Sequence, residues 1–109
     1  MKTKKELGQF LKTFLNTNRK YEEITGYEFE LLSKLFYNYY QKCHKEGRTN
    51  WHHVWNNIDE LDFIKIVHNP EENAFKSLCY ELHFKNGIIE RPSYIKAIGK
   101  YDKKSISNL

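Results

Sequence analysis

Apolar residues near the N-terminus recur at helical spacing. Five of them share one face of a helix: Leu7, Phe10, Leu11, Phe14 and Leu15. Thr3 and Glu6 precede this series in the pattern of a capping box. In that motif a hydroxyl accepts a hydrogen bond from the backbone N–H three residues on. The pattern therefore predicts a first helix from about Lys4 to Asn16.

A second apolar series follows the polar stretch from Asn16 to Glu23. It begins after another capping-box pair, Thr25 and Glu28. Its members are Leu32, Leu35, Phe36, Tyr39, Tyr40 and Cys43. Gly47 can adopt the conformation that ends a helix, and the basic side chains before it suit the negative end of the helix dipole. We predict a second helix that ends near His44.

The pattern weakens from Lys45 to Glu60, where the apolar spacing fits a short amphipathic turn or helix. The stretch from Leu61 to His68 is rich in β-branched and aromatic residues, which is typical of a strand. From Phe75 to Phe84 apolar and mixed residues alternate, so a second strand with one buried face is predicted. Asn86-Gly87 then predicts a tight type I′ turn into Ile88-Ile89-Glu90, since that turn needs positive φ at both central residues.

The chain leaves the sheet at Pro92, which cannot donate to a ladder but suits an early helical position. A short helix through Tyr94 and Ile98 is predicted to stop at Gly99. The predicted fold is α+β, with two N-terminal helices packed on a three-stranded antiparallel sheet and a short C-terminal helix. Residues 1–99 form one domain in this interpretation, and residues 100–109 form a polar, basic C-terminal tail.

Size and composition predict one hydrophobic core that needs neither a disulfide nor a metal ion for stability. The chain has 109 residues, and its aromatic residues (seven Phe, eight Tyr and two Trp) can supply much of the buried apolar area. Cys43 and Cys79 lack the close spacing of a metal or redox motif, and no secretory segment or membrane-length apolar run is seen. We expect a cytoplasmic protein with reduced thiols, no cofactor, no membrane contact and no small-molecule substrate.

The net charge of +4 is unevenly distributed along the chain. Residues 1–20 carry six basic residues and one acidic residue, residues 21–84 carry six and eleven, and residues 85–109 carry six and two. If both basic ends fall on one side of the fold, they form a patch suited to phosphates. The lysines of that patch are Lys2, Lys4, Lys5, Lys100, Lys103 and Lys104.

Tyrosines near these cations extend the hypothesis to base stacking, because aromatic faces stack on unpaired bases while cations hold the backbone. The candidate tyrosines for this role, if exposed, are Tyr21, Tyr37, Tyr94 and Tyr101. The predicted nucleic-acid-binding residues are Lys4, Lys5, Arg19, Lys20, Arg48, Arg91, Tyr94, Lys96 and Lys100. For each tyrosine taken alone, packing in or beside the core is the preferred interpretation, and only clustering with basic residues would favour base stacking.

Six segments, in order along the chain, form a pattern like that of a known plant module. They are TKKELGQFLKTFL, FELLSKLFYNYYQKCH, LDFIKIVHNP, LCYEL, KNG and PSYIKAI, and they span about residues 3–98. In this order they resemble the defective-chloroplasts-and-leaves (DCL) domain, which is associated with plastid ribosomal RNA processing and with certain plant RNA polymerase subunits. The chain departs from the family pattern at Asn86 and at Arg91-Pro92. The resemblance implies a non-catalytic module linked to RNA or to transcription.

Histidines and cysteines offer two catalytic or metal-binding patterns. A zinc site would use Cys43, His44, Cys79 and His83. It is disfavoured because Cys79 and His83, on one strand, lie roughly 13 Å apart along the backbone. His52-His53 followed by Asn56-Asn57 faintly resembles metal-dependent nucleases, but the spacing is wrong and packing of a short helix is preferred.

The sequence therefore favours a non-enzymatic binding module that acts on nucleic acid, with RNA preferred, or on a transcription or RNA-processing machine. The alternative is a small phage or bacterial regulator that binds and inhibits an enzyme. The abundance of aromatic residues and the acidic middle segment motivate this alternative, because both suit a protein interface.

Overall fold

The computed structural model describes residues 3–48, 52–70 and 77–102, and it confirms the α+β class. The elements, in chain order, are α1 (Lys4–Thr17), α2 (Gly26–Lys45), α3 (His52–Trp55), a 3₁₀ turn (Ile58–Glu60), β1 (Leu61–His68), β2 (Leu78–Phe84), β3 (Ile89–Glu90) and α4 (Tyr94–Lys100). The two long helices, the first strand and the C-terminal helix lie where the apolar periodicity predicts them.

Capping interactions predicted from neighbouring residues explain some of the helix ends but not all of them. The Thr3 hydroxyl accepts a hydrogen bond from the backbone N–H of Glu6 at 3.1 Å, which caps α1 as predicted. Thr25 occupies the cap position of α2, but its side chain makes no capping hydrogen bond, so the second capping box is wrong. Gly47, with φ of +78°, carries the chain out of α2 two residues after Lys45, as predicted.

The three strands form an antiparallel sheet in the order β1-β2-β3. Ile64 pairs with Leu82 and Ile66 pairs with Tyr80, and all four side chains are fully buried. Because side chains alternate along a strand, these four share the face that meets the helices. The other face of the sheet carries the mixed residues.

The segment between α1 and α2 covers the outer edge of β1. The backbone N–H groups of Tyr21 and Ile24 donate to the carbonyls of Ile66 and Ile64 at 2.8 and 2.9 Å. Tyr21 holds a left-handed conformation, φ 65°, and its hydroxyl lies 3.0 Å from Nδ1 of His68. These bonds occupy a strand edge that would otherwise be open to another chain.

The hairpin between β2 and β3 has a three-residue loop. The N–H of Phe84 donates to the carbonyl of Ile88, and the N–H of Gly87 donates to the carbonyl of Phe84, both at 3.0 Å. Gly87 has φ of +92°, whereas Asn86 has no positive φ, so the type I′ prediction is wrong. The Asn86 side chain instead accepts a hydrogen bond from the N–H of Ile88 at 3.1 Å.

The C-terminal helix departs from the prediction at both ends. Pro92 precedes the helix and its cap residue and does not occupy the first turn. The helix passes through Gly99 and ends at Lys100, so the predicted stop is wrong. Tyr101 is only 8% exposed and packs in the core, so the ordered domain continues past residue 99. The rest of the predicted tail, residues 103–109, lies outside the described part of the chain.

The core lies between the sheet and the helices, α3 contributes Val54 to it, and α4 packs on both α1 and α2. Its fully buried side chains are Leu7, Leu11, Leu32, Leu35, Phe36, Tyr40, Cys43, Val54, Ile64, Ile66, Tyr80, Leu82 and Ala97. In the described ranges, no helix combines the length and the hydrophobicity that crossing a membrane requires.

Two glycine substitutions, one in the hairpin loop and one in α4, are expected to change the free energy of unfolding in opposite directions. Gly87→Ala is expected to lower the free energy of unfolding by about 1 kcal/mol, because alanine is strained at positive φ. An added Cβ meets no atom within 4 Å at Gly87 or at Gly99, so backbone conformation decides both effects. Gly99→Ala, inside α4, is expected to raise the free energy of unfolding by up to about 1 kcal/mol. Urea denaturation measures both, and a stabilising Gly87→Ala would contradict the left-handed loop position.

Candidate nucleic-acid interface

The N-terminus of α1 meets the C-terminus of α4. The Lys4 ammonium donates to the carbonyl of Gly99 at 2.7 Å. Lys42, from α2, donates to the carbonyl of Lys100, and the Asn38 amide lies 3.4 Å from the same oxygen. The last carbonyls of a helix have no partner within it, so these side chains cap α4. The contact brings lysines from both basic ends of the sequence to one place.

The ion pairs at this place leave a net positive charge. Lys100 binds both oxygens of Glu46, at 2.6 and 3.0 Å, and Arg48 lies 3.5 Å from the same carboxylate. The hydrogen bond from Lys100 holds the pKa of Glu46 below its usual value. Lys4 and Lys42 bond to neutral carbonyls, so their charges are not neutralised by these contacts.

Residues 3–6, 42–48 and 94–102 together form a region that we term the basic corner. Its seven basic residues are Lys4, Lys5, Lys42, Lys45, Arg48, Lys96 and Lys100. The same three stretches contain three acidic residues, Glu6, Glu46 and Asp102. A surface with this excess of positive charge attracts polyanions. The terminal lysines Lys2, Lys103 and Lys104, which belong to the predicted patch, lie outside the described residues.

The structure divides the predicted site residues into three groups. Those at the basic corner are Lys4, Lys5, Arg48, Lys96 and Lys100. Arg19 and Lys20 follow the opposite end of α1, and the length of that helix separates them from Lys4 by about 20 Å. Arg19 also lies 3.5 Å from Glu22 in an exposed ion pair. Of the remaining two, Arg91 lies between β3 and α4, and Tyr94 is the first residue of α4, within the stretch 94–102.

Arg91 belongs to an ion-pair cluster on the outer face of the sheet. Its Nε donates to one oxygen of Glu81 at 2.8 Å, while His83 Nε2 lies 2.6 Å from the other. Glu81 is only 8% exposed, and a carboxylate so buried needs such partners. The His83 ring also stacks on Phe63 across the strands, with centroids 4.4 Å apart. Arg91 therefore has a structural role that the sequence did not indicate.

The four candidate base-stacking tyrosines differ in burial. Tyr21 and Tyr37 are 58% and 42% exposed. Tyr94 is half-buried and packs edge-on against Tyr80, with centroids 5.8 Å apart. Tyr101 is buried in the core, so it is not available as a base-stacking residue. Packing, and not stacking on a ligand, explains both of these C-terminal tyrosines.

A row of rings that the sequence analysis missed leads into the basic corner. Tyr37 packs edge-on against Trp55 at 5.2 Å, and His44 stacks on the same indole at 5.7 Å. His52 then packs edge-on against His44 at 5.0 Å. We term these four residues the aromatic row. The seven-residue spacing of Tyr37 and His44 on α2 would have placed them on one face, but the contribution of α3 depends on how the helices pack.

The histidines of the nuclease hypothesis have other partners. His53 Nε2 lies 2.8 Å from Glu90, and the Asn57 amide donates to the carbonyl of His53 at 2.7 Å. The asparagine thus supports the turn after α3 and does not join the imidazole at a common site. Within the described ranges, no three histidine, cysteine, aspartate or glutamate side chains are placed to share a metal ion.

Comparisons with protein-family models, with curated proteins and with solved structures found no match to this chain. The resemblance to the DCL domain therefore stays a prediction that depends on six short segments. The candidate interface depends instead on the contacts of the basic corner and the aromatic row.

Proposed function

We propose that this protein is a non-enzymatic module that binds single-stranded nucleic acid, RNA in particular, through the basic corner and the aromatic row. The observation that carries the proposal is the contact of Lys4 with the carbonyl of Gly99, because it joins the two basic ends of the chain. Lysine and arginine side chains bind nucleic acids chiefly by neutralising phosphates and releasing counterions. As a cytoplasmic protein, the module would act on a transcription or RNA-processing machine.

The aromatic row favours a single strand over a duplex. His44 lies in the last turn of α2, where it belongs to the row and adjoins the lysine at position 45 of the basic corner. His44 is exposed and Tyr37 is 42% exposed, so both rings are accessible. Unpaired bases stack on such rings while the backbone follows the cations, whereas bases in a duplex are already stacked.

Salt-dependent binding tests the proposal. Fluorescence anisotropy of a labelled oligouridylate, compared with the same length of oligothymidylate, is measured between 50 and 200 mM salt. For four phosphate contacts the affinity is expected to fall about fiftyfold over this range, because single strands lose about 0.7 in log–log slope per contact. Lys5→Gln and Lys45→Gln are each expected to weaken binding and to reduce the slope by about 0.7.

Lys20→Gln is the matched control for these two variants. It removes the same charge from an exposed lysine at the far end of α1, and it is expected to leave affinity and slope close to those of the wild type. Equal weakening by Lys20→Gln would show that net charge, and not the basic corner, governs binding. Absence of binding to both oligonucleotides at low salt would refute the proposed function.

A further inference from the structure

A groove runs along α2 on the side that faces the 3₁₀ turn and the start of β1. It consists of two cavities, of 210 and 250 Å³, that share the side chain of Phe29. The first is lined mainly by apolar side chains, including Tyr37, Ile58 and Leu61, and the second reaches Phe63. The part of α2 between Phe29 and Tyr37 is about 12 Å long. The groove is thus long enough for a short peptide segment.

Four carboxylates border this groove without an ion-pair partner among the described lysines and arginines. They are Glu23, Asp59, Glu60 and Asp62. Glu23 and Asp62 line the second cavity, while Asp59 and Glu60 lie between two apolar lining residues of the first. By contrast, two carboxylates elsewhere in the fold form ion pairs: Glu81 with Arg91 and Glu46 with Lys100. The Lys65 ammonium lies 5.1 Å from the centroid of the Phe63 ring at the second cavity, so four carboxylates face this one cation and the border of the groove is net negative.

The wall of the groove also contains a polar atom that lacks a partner. The Ser33 hydroxyl is buried and makes no hydrogen bond within the described structure. Ser33 lines the first cavity, beside Phe36 and Tyr37. Because a buried hydroxyl without a partner is unfavourable, a rotation of the Ser33 side chain that turns this hydroxyl toward a polar group of a bound segment would gain binding free energy.

We propose that the groove is a docking site for a cationic, amphipathic segment of a protein partner. Apolar side chains of the segment would fill the cavities beside Phe29 and Leu61, and its lysines or arginines would face Asp59 and Asp62. A backbone or side-chain polar group would bond to the Ser33 hydroxyl once that hydroxyl turns toward the cavity. The net negative charge of the groove border disfavours nucleic acid at this surface, because phosphates are repelled by carboxylates. The module would then present two surfaces of opposite charge, one for nucleic acid and one for a basic protein segment.

Titration of the full-length, ¹⁵N-labelled protein with designed peptides tests this proposal. The probe is a helical peptide of leucine and lysine that carries one apolar face, and the comparison peptide has glutamate in place of every lysine. The leucine–lysine peptide is expected to bind and to shift the amide signals of Ser33, Leu61 and Asp62. The double variant Asp59→Asn/Asp62→Asn is expected to weaken this binding about tenfold.

The matched control is Glu22→Gln/Glu28→Gln, which removes two carboxylates that line a different cavity, between α1 and α2. It is expected to leave the affinity for the leucine–lysine peptide unchanged. The proposal is overturned by equal weakening in this control, by equal binding of the leucine–glutamate peptide, or by no binding at millimolar peptide. Because no basic-corner residue is altered, oligonucleotide binding by the same variants is tested separately, and either proposal can fail alone.

Discussion

Tyr80→Ala is expected to lower the free energy of unfolding by about 3 to 5 kcal/mol, among the largest effects of a single substitution in this protein. Tyr80 is fully buried in the middle strand, where its ring contacts Phe36 at 6.4 Å and Tyr94 at 5.8 Å. Its hydroxyl donates to the carbonyl of Leu11 in α1 at 2.8 Å. The alanine variant would lose the ring that joins the sheet to the helices, and urea denaturation followed by circular dichroism measures the loss.

Tyr80→Phe separates the two contributions of this side chain. It keeps the ring and removes the hydrogen bond to Leu11, so a loss of about 1 kcal/mol is expected. If Tyr80→Phe were as destabilising as Tyr80→Ala, the buried hydrogen bond, and not ring packing, would be the main contribution. That result would contradict the role of the Tyr80 ring in joining the sheet to the helices.

Raising the pH above about 10 is expected to unfold the protein progressively. Burial raises the pKa of Tyr40 and of Tyr80 far above the usual value of 10.0. Unfolded tyrosines lose their protons near pH 10 while the folded protein keeps them, so stability is complete below pH 10 and falls as the pH rises. Each tyrosine lowers the free energy of unfolding by about 1.4 kcal/mol per pH unit, so the pair removes about 5 kcal/mol by pH 12.

The same Tyr80→Phe variant serves as the control for this pH dependence. With one of the two most deeply buried phenols removed, the decline of stability above pH 10 is expected to be less steep, although burial also raises the pKa of Tyr39 and of Tyr101. Denaturation at several pH values, with tyrosinate absorbance recorded in parallel, measures the slope. An unchanged slope would mean that Tyr80 ionises within the folded protein, contrary to its burial.

Much of the fold was predictable because the deciding forces act between neighbours in sequence. The series of Leu7, Leu11 and Leu15 places three side chains on one helical face, and the structure buries all three. Thr3 caps the helix with the N–H three residues on. The strand Leu61–His68 has the predicted bounds, since its composition and the Asn-Pro pair that follows both act locally.

The corrections fall where distant residues determine the local structure. Gly99 continues α4 because the helix ends only where Lys4 and Lys42 bond to its last carbonyls, and these lysines come from other helices. Tyr101 belongs to the polar tail predicted from the sequence, but in the structure it follows α4 directly and its side chain lies in the core. The hairpin was predicted from Asn86-Gly87, but the pairing of its flanking strands selected the longer loop.

The sequence by itself determined the number and order of the long helices and strands, and it determined that both chain ends are basic. Only the tertiary structure decided which charges remain available: Lys4 and Lys42 keep theirs, Lys100 is paired with Glu46, and Arg91 with Glu81. The physical reason is the separation along the chain over which each kind of interaction acts. Periodicity and capping operate within a few residues along the chain, whereas ion pairs, caps from other helices and the aromatic row depend on distances that exist only after packing.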